Sequence, residues 1–126
     1  MREITVAEAI REALTEEMER DETVFVFGED VGIFGGDFGV TQGLYKKFPD
    51  RIIDTPIAEL GIMGIALGSA YSGMRPVPEI MFSDFTTVCF DYFVNQVSKN
   101  RYMTGMQEGG QDAGVEELAV GDLGDG

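Results

Sequence analysis

Apolar residues recur every four positions at Val6, Ile10, Leu14 and Met18, with mostly charged or polar residues between them. That period lays an apolar stripe along a helix running to about Arg20. Thr5 followed three residues later by Glu8 is a capping box, so the helix starts there. Asp21-Glu22 ends it. Val24-Phe25-Val26-Phe27 is then a continuous apolar run closed by Gly28, the pattern of a strand buried on both faces of a parallel sheet. Residues 28–43 hold six glycines and no helical period, so they form a loop. A short helix around Leu44 to Phe48 follows and is stopped by Pro49.

Ile52-Ile53 predicts a second short strand, ended by Asp54-Thr55-Pro56. Residues 57–73 predict a helix with Gly61, Gly64 and Gly68 close to one face. Val77 to Phe82 predicts a third strand. Ser83 or Asp84 would cap a last helix to about Met103, turning Phe85, Val88, Cys89, Tyr92, Phe93 and Val97 inward. Strand and helix alternate throughout, which means an α/β protein with a mostly parallel sheet. After Gln107 the chain is Gly-rich and acidic with few large apolar residues, so 108–126 is expected to be a disordered tail.

A chain of 126 residues fits one domain with a real core. Its formal net charge of −14 argues against nucleic acid or an anionic membrane as partner. The charge is uneven, because residues 107–126 carry six acids and no base. Cys89 is the only cysteine, which excludes an intrachain disulfide and points to a reducing compartment. Flanked by Val88 and Phe90, it reads as a core thiol, since a reactive thiol needs positive charge nearby. The absence of histidine removes histidine metal sites, Ser-His triads and Cys-His dyads. The pattern begins at once, so no signal or transit peptide is expected. The uncharged run from Leu60 to Met74 is shorter than the roughly 18 apolar residues of a membrane helix. A soluble, cytoplasmic protein without a metal site of its own is the expectation.

The glycine loop does not read as a phosphate cradle. Gly43 is followed by Leu44 where a P-loop has lysine, and Glu29, Asp30 and Asp37 would repel phosphate. A structural loop with close backbone contacts fits better. The GxxxG spacing of Gly64 and Gly68 reads as close packing on a sheet or partner helix rather than membrane pairing. Glu59 is more informative. It opens a helix after a buried strand and the turn Asp54-Thr55-Pro56, at the sheet edge where α/β proteins bind ligands. Its neighbours Ile57, Ala58, Leu60 and Ile62 disfavour an ionised carboxylate. The plainer alternative is a first-turn glutamate favoured by the helix dipole.

Gly28-Glu29-Asp30-Val31-Gly32, Gly35-Gly36, the run from Arg51 to Glu59, the run from Gly73 to Val77, and Glu79-Ile80-Met81-Phe82 together resemble one family. So do the runs from Val94 to Lys99 and from Arg101 to Gly105. The family is the beta subunit of the decarboxylating component of pyruvate, branched-chain 2-oxo acid and acetoin dehydrogenases. The resemblance runs from Ile4 to Gln107. It implies a three-layer αβα thiamine-diphosphate-binding fold, with residues 1–107 as a partial, incomplete pyrimidine-binding domain of the transketolase-like kind.

The resemblance also implies roles. Glu59 matches the glutamate that hydrogen-bonds the aminopyrimidine nitrogen of thiamine diphosphate. A carboxyl sharing a proton there favours the imino tautomer that activates the thiazolium carbon. Glu29, Ile57, Ala58, Met81 and Phe85 match further cofactor contacts, with Phe85 packing on the aminopyrimidine face. An alpha subunit holds the diphosphate and Mg2+ in an α2β2 heterotetramer, and a lipoyl-bearing acyltransferase takes the acyl group. The family chain continues with more strands, a histidine and a second domain, so this chain is expected to be a fragment, inactive alone. A non-catalytic remnant that only binds an alpha subunit is the alternative. Asp122-Leu123-Gly124-Asp125-Gly126 resembles the start of a thiamine-diphosphate metal motif by coincidence only.

Overall fold

Side chains alternate across a strand, and in the central strand that alternation builds two cores. Phe25 and Phe27 pack on one side with Ile62, Met63, Ala66, Leu67, Ala70, Cys89 and Val97. Val24 and Val26 pack on the other with Met18, Val31, Leu44 and Ile52. All five residues of the strand are buried. The computed structural model, which describes residues 2–104, thus places one sheet between two layers of helix.

The elements are α1 (Val6–Arg20), β1 (Val24–Gly28), α2 (Leu44–Lys47), β2 (Ile52–Asp54), α3 (Glu59–Tyr71) and β3 (Arg75–Pro78). A 3-10 helix (Ser83–Thr87), a π-helical stretch (Tyr92–Val97) and α4 (Ser98–Thr104) follow. The sheet is parallel throughout, in the order β2-β1-β3. The parallel α/β reading is thereby correct, and the pairing aligns Gly28 with Asp54 and Phe27 with Pro78 at the C-terminal ends.

The capping box forms as expected. The Thr5 hydroxyl accepts from the Glu8 N–H at 3.2 Å, and the Glu8 carboxylate accepts from the Thr5 N–H at 2.7 Å. Arg51 finishes the other end of α1. Its guanidinium donates to the carbonyls of Met18 (2.8 Å), Asp21 (3.0 Å) and Val24 (3.1 Å), giving cationic donors to the negative end of the helix. The apolar stripe of α1 is less buried than its period predicts. Met18 is enclosed and Leu14 partly so, but Ile10 and Val6 are exposed. Ile10 opens into a groove of about 400 Å3 between α1 and β3, whose lining also includes Leu14, Val24, Pro76 and Val77.

Two expectations need correction. The third strand lies at Arg75–Pro78, not Val77 to Phe82. Arg75 donates its N–H to the Thr23 carbonyl (3.0 Å) and Glu79 to that of Phe27 (2.8 Å), so alternate residues of β3 face β1. Pro76 and Pro78 therefore face the outer edge, where a missing N–H breaks no ladder bond. The last helix is not continuous and has no side-chain cap at Ser83 or Asp84. Thr86 and Thr87 instead return their hydroxyls to the carbonyls of Ser83 (2.6 Å) and Asp84 (2.7 Å), within a tight 3-10 turn. Phe85 and Val88 consequently point outward, while Cys89 and Val97 are buried. Gly61, Gly64 and Gly68, spaced three and four residues apart in α3, lie close to one face as expected. Gly64 lies under the Tyr92 hydroxyl, 3.1 Å from where its Cβ would be, whereas Gly68 faces open space.

Among the described residues no helix is long and apolar enough to cross a membrane. The expected disordered tail and the Asp122–Gly126 motif lie outside the described residues.

Candidate functional site

The C-terminal ends of three adjacent parallel strands make one edge, at Gly28, Asp54 and Pro78. Every residue singled out from the sequence lies on a segment leaving that edge. Glu29 follows β1. Ile57, Ala58 and Glu59 follow β2, and Met81 and Phe85 follow β3. Ligands of open α/β sheets bind at such an edge.

The glycine loop that carries Glu29 is a structural loop, as expected. Gly36 donates to the Asp30 carbonyl (2.8 Å) and Thr41 donates its hydroxyl to that of Val31 (2.8 Å). Gly35 has φ of 89° and no space beside it, since a Cβ would stand 2.7 Å from the Gln42 Cα. Asp54, at the end of β2, and Glu79, just after β3, clasp the start of the loop on either side. Asp54 Oδ1 accepts from the Gly32 N–H at 2.6 Å, and Glu79 lies against Gly28.

Glu59 is half-buried in the first turn of α3, where the helix dipole favours a carboxylate. The N-terminal residue before it, Ala58, offers no side-chain cap. The apolar shelter expected around Glu59 is only partly built, because Ile57, Ala58 and Leu60 are exposed and Ile62 alone is buried. The Glu59 charge nevertheless acts on Glu29. Partial burial is the largest cause raising the Glu29 carboxyl above the usual carboxylate range, followed by the charges of Asp30, Glu59 and Asp37. The Cys89 thiol is raised mainly by burial and slightly further by the Glu59 charge.

Aromatic rings complete the edge. Phe82 stands edge-on to Phe38 (centroids 5.4 Å apart) and to Phe85 (5.6 Å). All three rings are exposed, with Phe85 at 41%. Met81 is half-buried beside them in sequence. Ile57 and Ala58 are exposed without a described partner in this group. Sequence reasoning missed Phe38, Phe82 and Glu79. The available signal for Glu79 was that it is the single charge inside the apolar run from Val77 to Phe82.

An exposed ring, a carboxyl at a helix start and acids on the neighbouring loop suit a flat, nitrogen-bearing heterocycle. Glu29, Asp30 and Asp37 do not suit a diphosphate, which they would repel. The arrangement therefore suits the heterocyclic end of such a ligand and not a phosphate end.

This α/β edge defines a class, and the chain belongs to the family of transketolase pyrimidine-binding domains, matched over residues 2–115. Within it, the chain is 50% identical over 106 residues to the pyruvate dehydrogenase E1 component subunit beta of Rickettsia felis, covering 83% of this chain and 32% of that protein. The corresponding subunit of Staphylococcus epidermidis is 51% identical over 106 residues, covering 83% of this chain and 33% of that protein. The acetoin:2,6-dichlorophenolindophenol oxidoreductase subunit beta of Cupriavidus necator is 46% identical over 114 residues, covering 82% and 34%. The chain spans about a third of the length of these relatives.

Proposed function

We propose that this chain supplies the pyrimidine side of a thiamine-diphosphate site in the E1 component of a 2-oxo acid dehydrogenase, with Glu59 as the acid that exchanges a proton with the cofactor. The observation that carries the reading is the place of Glu59: half-buried in the first turn of α3, at the C-terminal sheet edge, with its charge felt by Glu29. Likeness to the E1 beta subunits supports it.

When bound, thiamine diphosphate supplies the carbon nucleophile for a 2-oxo acid and the electron sink for decarboxylation. The chain's own residues act on the heterocycle. Glu59 holds and returns a proton at the ring nitrogen, because a carboxyl in hydrogen-bond reach exchanges protons rapidly. Glu29 adds a second acid beside it, Phe85 presents a flat face for stacking, and Ile57, Ala58 and Met81 wall the ring. The diphosphate and Mg2+ fall to an alpha subunit in an α2β2 assembly, and a lipoyl-bearing acyltransferase receives the acyl group. Pyruvate is the substrate that likeness to the pyruvate dehydrogenase subunits favours, in a cytoplasmic enzyme. A second reading, a remnant that only binds an alpha subunit, draws on the exposed face of α3, where Leu60, Ile65 and Gly68 are open.

Glu59→Gln separates the two. It keeps size and hydrogen bonding but cannot exchange the proton. In the full-length subunit assembled with its alpha partner, thiamine diphosphate should still bind while turnover falls by roughly 10²–10⁴-fold. Proton exchange at the thiazolium carbon should slow in parallel. Unchanged exchange and turnover would leave Glu59 a helix-start residue and favour the remnant reading.

A further inference from the structure

Glu79 has no part in the reading above, yet it is the most constrained acid at the edge. Its backbone N–H donates to the Phe27 carbonyl at 2.8 Å, which pins it beside the end of β1. Its side chain lies against Gly28. A Cβ on Gly28 would stand 2.7 Å from the Glu79 Cβ, 2.8 Å from its carbonyl oxygen and 3.2 Å from Oε2. Only glycine leaves that space. Oε2 is buried and has no hydrogen-bond partner. A buried carboxylate oxygen without a donor is costly, whereas a neutral carboxylic acid in the same place is tolerated.

The surroundings point the same way. The charged groups that face Glu79 are Asp37 and Glu29, both acids and both from the glycine loop. Burial first, and then these two charges, hold its carboxyl above the usual carboxylate range. Three neighbouring acids do not all ionise together without mutual repulsion, and their protons leave in coupled steps. The proton retained longest belongs on the acid least able to reach water.

We propose that Glu79 is a positioning residue for Glu29: packed against Gly28, its side chain keeps the start of the glycine loop, and with it the Glu29 carboxyl, seated at the end of β1. When Glu79 ionises, its charge repels Glu29 and Asp37 and must be hydrated, so the side chain leaves Gly28 and the loop loosens. The consequence for cofactor binding rests on the proposed function; the loop behaviour does not.

The test uses the full 126-residue chain, with Glu79→Gln as a permanently neutral mimic of the acid. Infrared spectra should show a protonated-carboxyl carbonyl band that persists above the ordinary carboxylate value of 4.5, disappears as pH rises further and is missing from the variant. Over the same interval the wild-type amides of the loop, including the Gly36 N–H held by Asp30, should lose protection against hydrogen exchange beyond the intrinsic pH effect. Glu79→Gln should keep that protection. Glu79→Met, similar in length and never charged, should behave like the glutamine variant and covers a folding failure of the first. No carboxylic-acid band assignable to Glu79, or equal loss of protection in wild type and both variants, overturns the proposal. In the full-length subunit assembled with its alpha partner, thiamine diphosphate affinity should fall with pH only when Glu79 is present. If the loop behaves as expected but thiamine diphosphate binds at no pH, the functional reading fails and the positioning role stands.

Discussion

Asp54, the last residue of β2, accepts a hydrogen bond from the Gly32 N–H at 2.6 Å across 22 positions of sequence. Its carboxylate also fills the place of a side chain at Gly32, where a Cβ would stand 2.5 Å from Oδ2. The contact ties the loop bearing Glu29 to the strand that leads to Glu59. Asp54→Ala leaves the buried Gly32 N–H without its acceptor, at a cost of about 1–3 kcal/mol. The urea midpoint of unfolding should fall accordingly, and hydrogen exchange should quicken first in the loop. An unchanged midpoint and unchanged loop protection would mean that the contact carries no stability.

Cys89 should be chemically silent in the folded chain. It is fully buried, and its thiol donates weakly to the Thr86 carbonyl at 3.5 Å. Burial is the main cause that pushes the thiol up from its ordinary value, away from the reactive thiolate. Thiol reagents should therefore label it only as fast as the core opens, with full labelling in denaturant. Rapid stoichiometric labelling under native conditions would contradict the buried setting.

Stability should decline on the alkaline side of the ordinary carboxylate range. Burial raises both Glu79 and Glu29 above the ordinary value of 4.5 in the folded state. Between 4.5 and the raised folded values the native state binds more protons than the unfolded one, so stability falls as pH rises through that window. Glu8 and Asp21 act oppositely. Hydrogen bonds from Thr5 and from Thr23 lower them, so their contribution is present above their ordinary values and lost as pH falls. Unfolding midpoints across pH should show both limbs, and Glu79→Gln should flatten the upper one. A variant that leaves the upper limb unaltered would place its origin elsewhere.

Much of the architecture is legible locally. The capping box needs only Thr5 and Glu8, three residues apart, so α1 starts where the sequence says. β1 is readable because an uninterrupted run such as Val24 to Phe27 has no solvent face to offer. Alternation of strand and helix then implies parallel pairing, which carries Glu29, Glu59 and Phe85 to one sheet edge before any contact is known. Cys89 was readable too, since apolar neighbours and missing charge both argue for burial.

Other features depend on partners far along the chain, and only the tertiary structure decided them. The span of β3 is set by the bonds from Arg75 to Thr23 and from Glu79 to Phe27, which turn two prolines toward an edge that needs no donors. Apolar content alone placed the strand too late. The last helical segment breaks up because Thr86 and Thr87 bond to carbonyls three residues back, a choice that a 3.6-residue period does not reveal. Burial of Glu79 arises from its register against Gly28, because space at one strand's end is created by a missing side chain on the next. A sequence states which groups can bond; long-range pairing selects which of them lose access to water, and for Glu79 that loss sets its chemistry.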